Sequence, residues 1–241
     1  MKSYKACGVV LHTIKYGDSS RVAYLLTDVG GRQSYMVQGV KSSRGGGNKA
    51  ALLQPMFIVE FEGLVSPKAE MHRIREMRAA VPLRTIPFDV RKSTVALFMA
   101  ETLYRLVREV EANSPLFDFV RGAVETLDGM TEGVANFHLW FIVGLSRHLG
   151  FSAGNEYVEG SWFDVREGIF TPIMPLHGMV FSPENSRLLG RLMDTPAEEI
   201  ALIPLNRGQR VDFLGSMLTY LGYHLDGVRD IRSVDILREV F

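Results

Sequence analysis

Apolar and polar residues alternate through the first eighty positions of the chain, and then the rhythm changes. Short β-rich runs at 4–14, 21–27, 32–40, 56–64 and 71–80 are separated by Gly, Asp and Pro, which is the spacing of strands. In the fourth run Phe57, Val59 and Phe61 fall on one face and Glu60 and Glu62 on the other, a period of two that predicts one dry and one wet face. Residues 28–31 (Asp-Val-Gly-Gly) are short enough for a hairpin, because glycine accepts the positive φ of a tight turn. Five such strands in so short a segment predict a small barrel.

After Val81-Pro82 the period becomes about 3.6. Val95, Phe98, Met99, Thr102, Leu106 and Val110 form one helical stripe; Phe117, Val120, Val124 and Leu127 form another, opened by Ser114-Pro115 and closed by Asp128-Gly129. A third helix, 134–149, is so apolar through Trp140, Phe141, Ile142 and Leu145 that it must be central, and Gly150 ends it. Residues 151–183 lose helical periodicity and carry glycines, prolines and isolated aromatics, as expected of a folded-over insert with short strands. Helices resume at 183–193 after Ser182 as N-cap. A short turn at 196–202 follows, then a helix at 207–225 with Val211, Leu214, Leu218 and Leu221 on one face, and 233–241 adds an amphipathic turn or two. The division this predicts is a barrel domain at 1–80 and a helical domain at 81–241, with 151–183 as an irregular insert.

Charge sharpens that division. The net charge is zero, yet residues 1–80 hold twelve Lys and Arg against six Asp and Glu, a net +6, and the remainder holds 15 against 21, a net −6. A basic β segment joined to an acidic helical one points to a polyanion as partner of the first. Residues 41–49 contain Lys41, Arg44, Lys49 and three consecutive glycines with no apolar residue; this composition suits a mobile loop wrapping a phosphate backbone and equally an ordinary flexible linker. In the last strand Arg73 and Arg75 share one face, while His72, Ile74, Glu76 and Arg78 share the other. Tyr4, Tyr16, Tyr24 and Tyr35 add rings to the same segment, and cations interleaved with rings suit sequence-tolerant binding of single strands. The candidate DNA-binding residues are Arg32, Lys41, Arg44, Lys49, Arg73, Arg75, Arg78 and Tyr35.

Other chemistries find little support. Cys7 is the only cysteine, which excludes an internal disulfide and a thiolate zinc site. The Gly45–Gly47 stretch lacks the hydroxyl residue of a nucleotide P-loop, and residues 144–148 (Gly-Leu-Ser-Arg-His) fail the nucleophile-elbow pattern. The six histidines show no metal-ligand spacing, and no carboxylate pair stands out as acid and base. The reading is therefore a non-enzyme without a cofactor. With no signal-peptide core and no run of 18 apolar residues, it is expected to be cytoplasmic and without a membrane partner.

Several stretches resemble the bacterial recombination mediator family RecO. They are residues 5–20 (Lys-Ala-Cys-Gly-Val-Val-Leu-His-Thr-Ile-Lys-Tyr-Gly-Asp-Ser-Ser), 24–28 (Tyr-Leu-Leu-Thr-Asp) with Gly31-Arg32, the helical run 96–109 leading to 116–118 (Leu-Phe-Asp), and 141–151 (Phe-Ile-Val-Gly-Leu-Ser-Arg-His-Leu-Gly-Phe). They occur in the family's order across nearly the whole chain. The resemblance implies an α+β protein, an N-terminal five-stranded OB-fold barrel followed by an all-helical C-terminal domain. It also implies binding of single- and double-stranded DNA, annealing of complementary strands, and action with RecR to load RecA onto gaps coated by single-stranded-DNA-binding protein. The acidic, apolar C-terminal tail of that last protein would be held by the helical domain, and RecF and RecA are further candidate partners. Many members hold zinc through four cysteines in the insert, whereas residues 154–181 here contain none, so no metal is expected and Trp162, Phe163 and Phe170 are expected to pack an apolar core instead. The residues themselves leave a second reading open, a helical protein-interaction adaptor whose barrel binds a partner chain.

Overall fold

A computed structural model of the chain describes residues 2–40, 49–65 and 71–241; the segments 41–48, which carries Lys41 and Arg44, and 66–70 lie outside the described residues. The chain folds into two compact units, Met1–Asp128 and Gly129–Phe241.

The first unit begins with β1 (Lys2–Tyr16), β2 (Ser20–Thr27) and β3 (Arg32–Val37), continues through a one-turn helix α1 (Lys49–Leu52), and reaches β4 (Ile58–Val65) and β5 (His72–Ala79). The strands close into a barrel in the order β1-β2-β3-β5-β4, as the alternation predicted, with every pairing antiparallel except β3 with β5. β3 stops at Val37 rather than at residue 40, where Gly39 takes a left-handed φ of 72°. Val10, Leu25, Tyr35, Val37, Val59 and Phe61 fill the interior.

The outside of the barrel is not uniformly wet. Val9 lies opposite both Leu26 and Ile58, so the three stand side by side across β2, β1 and β4, and all are buried. The helix α2 (Val90–Leu106) packs against β1, and its own start is capped by the Asp89 carboxylate, which accepts from the backbone N–H of Arg91 (2.8 Å) and Lys92 (3.2 Å). α2 ends four residues before the predicted stripe does: Val110 is exposed. The chain leaves the helix because its carbonyls are needed elsewhere. Glu109 accepts from the backbone N–H of Arg32 and Glu111 from that of Gly31, each at 2.8 Å. This approach is so close that a Cβ on Gly31 would lie 2.2 Å from the Glu109 carbonyl oxygen.

The helix α3 (Ser114–Gly129) starts on Asn113, whose side-chain oxygen accepts from the Leu116 N–H at 3.0 Å, so the cap falls one residue before the Ser114 that the sequence suggested. At the far end Asp128 ties the barrel-to-helix connection down by accepting from the backbone N–H groups of Arg84, Thr85 and Ile86. Burial pushes its carboxyl up, but these bonds outweigh burial and hold it below its ordinary value. The buried Lys92 ammonium is satisfied by the Thr85 hydroxyl (2.7 Å) and the Asp128 carbonyl (2.9 Å).

In the second unit α4 (Val134–His148) is the central buried helix expected from its apolarity, packed by α5 (Pro183–Asp194) and α6 (Arg207–His224), with α7 (Ser233–Val240) at the end. Ser182 caps α5, and Asn206 with Gln209 forms a capping box on α6. The insert contains β6 (Trp162–Asp164), β7 (Ile169–Thr171) and β8 (Val180–Phe181) in a three-stranded sheet ordered β7-β6-β8. Phe163 is its buried centre, with ring centroids 5.2 Å from Phe170, 5.1 Å from Phe181 and 5.1 Å from Tyr220 of α6. Trp162, expected in this core, is only half-buried because β6 alternation turns it to the other face, and Phe181 and Tyr220 complete the cluster. The Asp164 carboxylate closes the adjoining turn, accepting from the N–H groups of Arg166 and Glu167 and lying 3.1 Å from His177 Nε2.

The insert does not fit a four-cysteine zinc site: it has no cysteine, and among the described residues no group of three or more His, Cys, Asp or Glu could hold a metal ion. A chelator should therefore leave the melting temperature unchanged, and metal analysis should find zinc well below stoichiometry; a chelator-sensitive transition would refute this. Gly31→Ala should lower stability by about 1–3 kcal/mol, read as a shift in denaturant midpoint at constant m-value.

Candidate nucleic-acid interface

The register of the barrel decides which side chains reach solvent together. In β1 the pairing with β2 slips between Val10 and His12, a bulge at Leu11 that keeps Val10 inside and turns His12 outward. His12 then faces Tyr24, Ile14 faces Val22, and Tyr16 faces Ser20. The middle row continues across the sheet, from Val22 to Met36 of β3 and from Met36 to Arg73 of β5. Ile14 is 45% exposed and Tyr16 60%.

Tyr104 of α2 closes one end of this surface. Its ring centroid lies 4.6 Å from that of His12 and 5.0 Å from that of Tyr24, and the guanidinium groups of Arg32 and Arg105 stand 5.2 Å and 5.6 Å from its centre. Arg32 also donates to the Tyr104 backbone carbonyl. Burial and then Arg105 push the His12 imidazole below its ordinary value, so it presents a neutral flat ring at physiological pH.

The residues singled out from sequence scatter over different parts of this unit. Arg32 belongs to the aromatic cluster just described. Arg73, Arg75 and Arg78 are exposed on β5, but the last is not on the face predicted for it. Phe61 pairs with Met77 and Gly63 with Ile74, so β5 has one residue more than β4 between these points, and this bulge turns Arg78 to the outer surface. There Arg75 lies 3.5 Å from Glu62, and Arg78 reaches Glu60 with two donors at 2.9 and 2.5 Å. Lys49 heads α1 and donates to the Gln38 carbonyl at 3.3 Å. Lys41 and Arg44 lie outside the described residues.

Tyr35 is no stacking platform. Its side chain is fully buried in the barrel, where its ring packs edge-on to Phe61 at 4.9 Å and its hydroxyl donates to Gln33 (2.8 Å) and accepts from Tyr4 (3.1 Å). Burial and the bond to Tyr4 push that hydroxyl far above its ordinary value. The tyrosines thus divide, Tyr4 and Tyr35 inward, Tyr16 and Tyr24 outward. Sequence reasoning did not name His12, Tyr104 or Arg105, nor the cross-strand cations Lys15 and Arg21, which face one another beside the turn of the β1–β2 hairpin. Alternation continued from the core residues Ala6 and Val10 places His12 inside, so only the bulge at Leu11 brings it outward, and no local signal announced it.

Val40 donates to the Ser19 carbonyl in that same turn at 2.9 Å. Among the described residues Lys15, Arg21, Lys49 and Arg73 form no ion pair, in contrast to Arg75 and Arg78. In the second unit a recess of about 600 Å3 lies between the insert and α5, with Tyr157, Phe170 and Met193 beside Arg187 and Arg191. His138 of α4 is fully buried, and desolvation and then Arg210 lower it to about 3, so it is a neutral core residue. No described helix is long and apolar enough to cross a membrane.

Comparison with known proteins agrees with the barrel and the helices. Residues 1–82 match the family described as Recombination protein O N terminal, and residues 87–233 match Recombination protein O C terminal. The chain is 37% identical over 238 residues to the DNA repair protein RecO of Phocaeicola vulgatus and 36% identical over 239 residues to that of Bacteroides fragilis, with 98% of each chain covered in both cases. It is 31% identical over 237 residues to the DNA repair protein RecO of Flavobacterium psychrophilum, again with 98% of both chains covered.

Tyr35→Phe removes a buried hydroxyl between two partners. It should cost about 1 kcal/mol of stability in chemical denaturation and leave affinity for a labelled oligonucleotide unchanged; a loss of affinity without a loss of stability would return Tyr35 to the binding surface.

Proposed function

The chain belongs to the recombination protein O family, a family of DNA repair proteins, and from that premise we propose that its barrel grips the phosphates of single- and double-stranded DNA so that complementary strands can be annealed. The observation that carries this reading is the gathering of cations that have no carboxylate partner among the described residues, Lys15, Arg21 and Lys49 near one end of the barrel and Arg73 on its outer face. Lys41 and Arg44, which the sequence places between Val40 and Lys49, are proposed to add to them. Two strands held on one cationic surface repel each other less, which lowers the electrostatic barrier to pairing.

Arg75 and Arg78 contribute less than a count of charges suggests. Each is held by a glutamate, and exposed ion pairs of this kind add only about 0–1 kcal/mol to stability while occupying a cation that a phosphate would otherwise take.

The partners belong to the same proposal. Action with RecR, and with RecF, to hand gaps coated by single-stranded-DNA-binding protein over to RecA is supported by the family assignment. For the acidic, apolar-ended tail of the coating protein, the recess beside α5 offers rings for the apolar end and Arg187 and Arg191 for the acids. The adaptor reading, in which the barrel binds a protein instead, predicts no affinity for naked DNA.

Salt titration of the full chain against a labelled single strand separates the two. Neutralising about four phosphates gives a log K against log[salt] slope near −3, and Glu60→Gln with Glu62→Gln should steepen it by about 1 as Arg75 and Arg78 are released. A slope near zero, or no binding at low salt, overturns the DNA reading.

A further inference from the structure

Beyond its cations, the outer face of β1 and β2 carries a surface of a different chemistry. His12, Ile14 and Tyr16 point the same way along β1, alternate residues about 7 Å apart, and Tyr24, Val22 and Ser20 stand opposite them about 5 Å away. Its inner end is packed, His12 against Tyr24 and Tyr104 with Arg32 and Arg105 at the Tyr104 ring. Its outer end is not, since Tyr16 and Ile14 are among the exposed large apolar residues of the unit. Arg73, which has no ion-pair partner among the described residues, stands in the same outward row as Ile14, three strands along, while Lys15 and Arg21, also without such partners, pair across the hairpin edge in the alternate phase. The Arg105 Nε is buried and has no hydrogen-bond partner among the described residues.

We infer that this row is a stacking site for the bases of single-stranded DNA, with Tyr16 and Ile14 as the open platform and the ring cluster of His12, Tyr24 and Tyr104 as its rigid end. The inference rests on the DNA reading above and adds to it that the bases, and not the phosphates alone, are held. The chemistry fits one occupant. Flat neutral rings and an isoleucine offer nothing to a phosphate, while every base has a π-face that stacks on them irrespective of sequence, and Arg73 in the same row with Lys15 and Arg21 at the hairpin edge supplies positive charge for the backbone that carries those bases. A duplex hides its base faces, so the row contributes to single strands only. That asymmetry would favour holding separated strands open until a complement arrives.

The test compares the full chain on a labelled single strand with an abasic strand of equal phosphate count. The natural strand should bind about tenfold more tightly, Tyr16→Ala should remove most of that difference, and Tyr16→Phe, which keeps the ring, should restore it. The salt slope should be the same for all three proteins, because no phosphate contact changes. Tyr16 is exposed at a strand end, so its replacement spares the core, and unchanged melting temperatures verify this. Equal affinity for natural and abasic strands with a normal salt slope overturns the stacking row and leaves the DNA reading intact. Absence of binding to either strand overturns the DNA reading itself. Loss of affinity in Tyr16→Phe equal to that in Tyr16→Ala overturns stacking in favour of a contact made by the hydroxyl.

Discussion

The surface of the first unit depends on how closely the exit of α2 approaches the β2–β3 connection. Two backbone bonds hold it there: the Gly31 N–H donates to the Glu111 carbonyl and the Arg32 N–H to the Glu109 carbonyl. Only a residue without a Cβ permits the contact. Because the chain is caught there, α2 must stop at Leu106, and Tyr104 and Arg105 in its last turn are set against the barrel. Arg32 reinforces the arrangement from the barrel side by donating to the Tyr104 carbonyl. A helix one turn longer would lose both bonds.

Charge alone gives an incomplete picture of the barrel. The surplus of positive residues in the first eighty positions is real, but part of it is neutralised within the fold, since the outward face of β4 brings Glu60 and Glu62 against the arginines of β5. What distinguishes the hairpin end is the absence of such partners among the described residues rather than a higher density of cations. In water, an arginine already paired must exchange one anion for another on binding, whereas an unpaired lysine exchanges only mobile counterions.

Much of the architecture was legible in the sequence, because the barrel strands and the helices each hold their period long enough to be read. The barrel, the apolar α4 and the aromatic centre of the insert follow from local pattern. The errors sit where one residue changes the phase. The β5 bulge moved Arg78 to the outer surface, and the β1 bulge at Leu11 is what puts His12 outward. Tyr35 and Tyr24 look alike as residues and differ only in which side of the pleat they occupy. Tyr104 lies some eighty positions from the strand it packs against, and no local pattern announces that pairing.

The insert is held by ring packing among its described strands. Here Phe163, Phe170, Phe181 and Tyr220 do the holding, with no sulfur in the strands that surround them. The one thiol of the chain, Cys7, is on the barrel, and burial chiefly keeps it above its ordinary value, away from the reactive thiolate form. Thiolate ligands are open to peroxide and hypochlorous acid, which release the metal they bind. A cluster of rings has no such weakness, so this part of a DNA repair protein would keep its shape under oxidative stress, the condition that damages both genomes and zinc fingers.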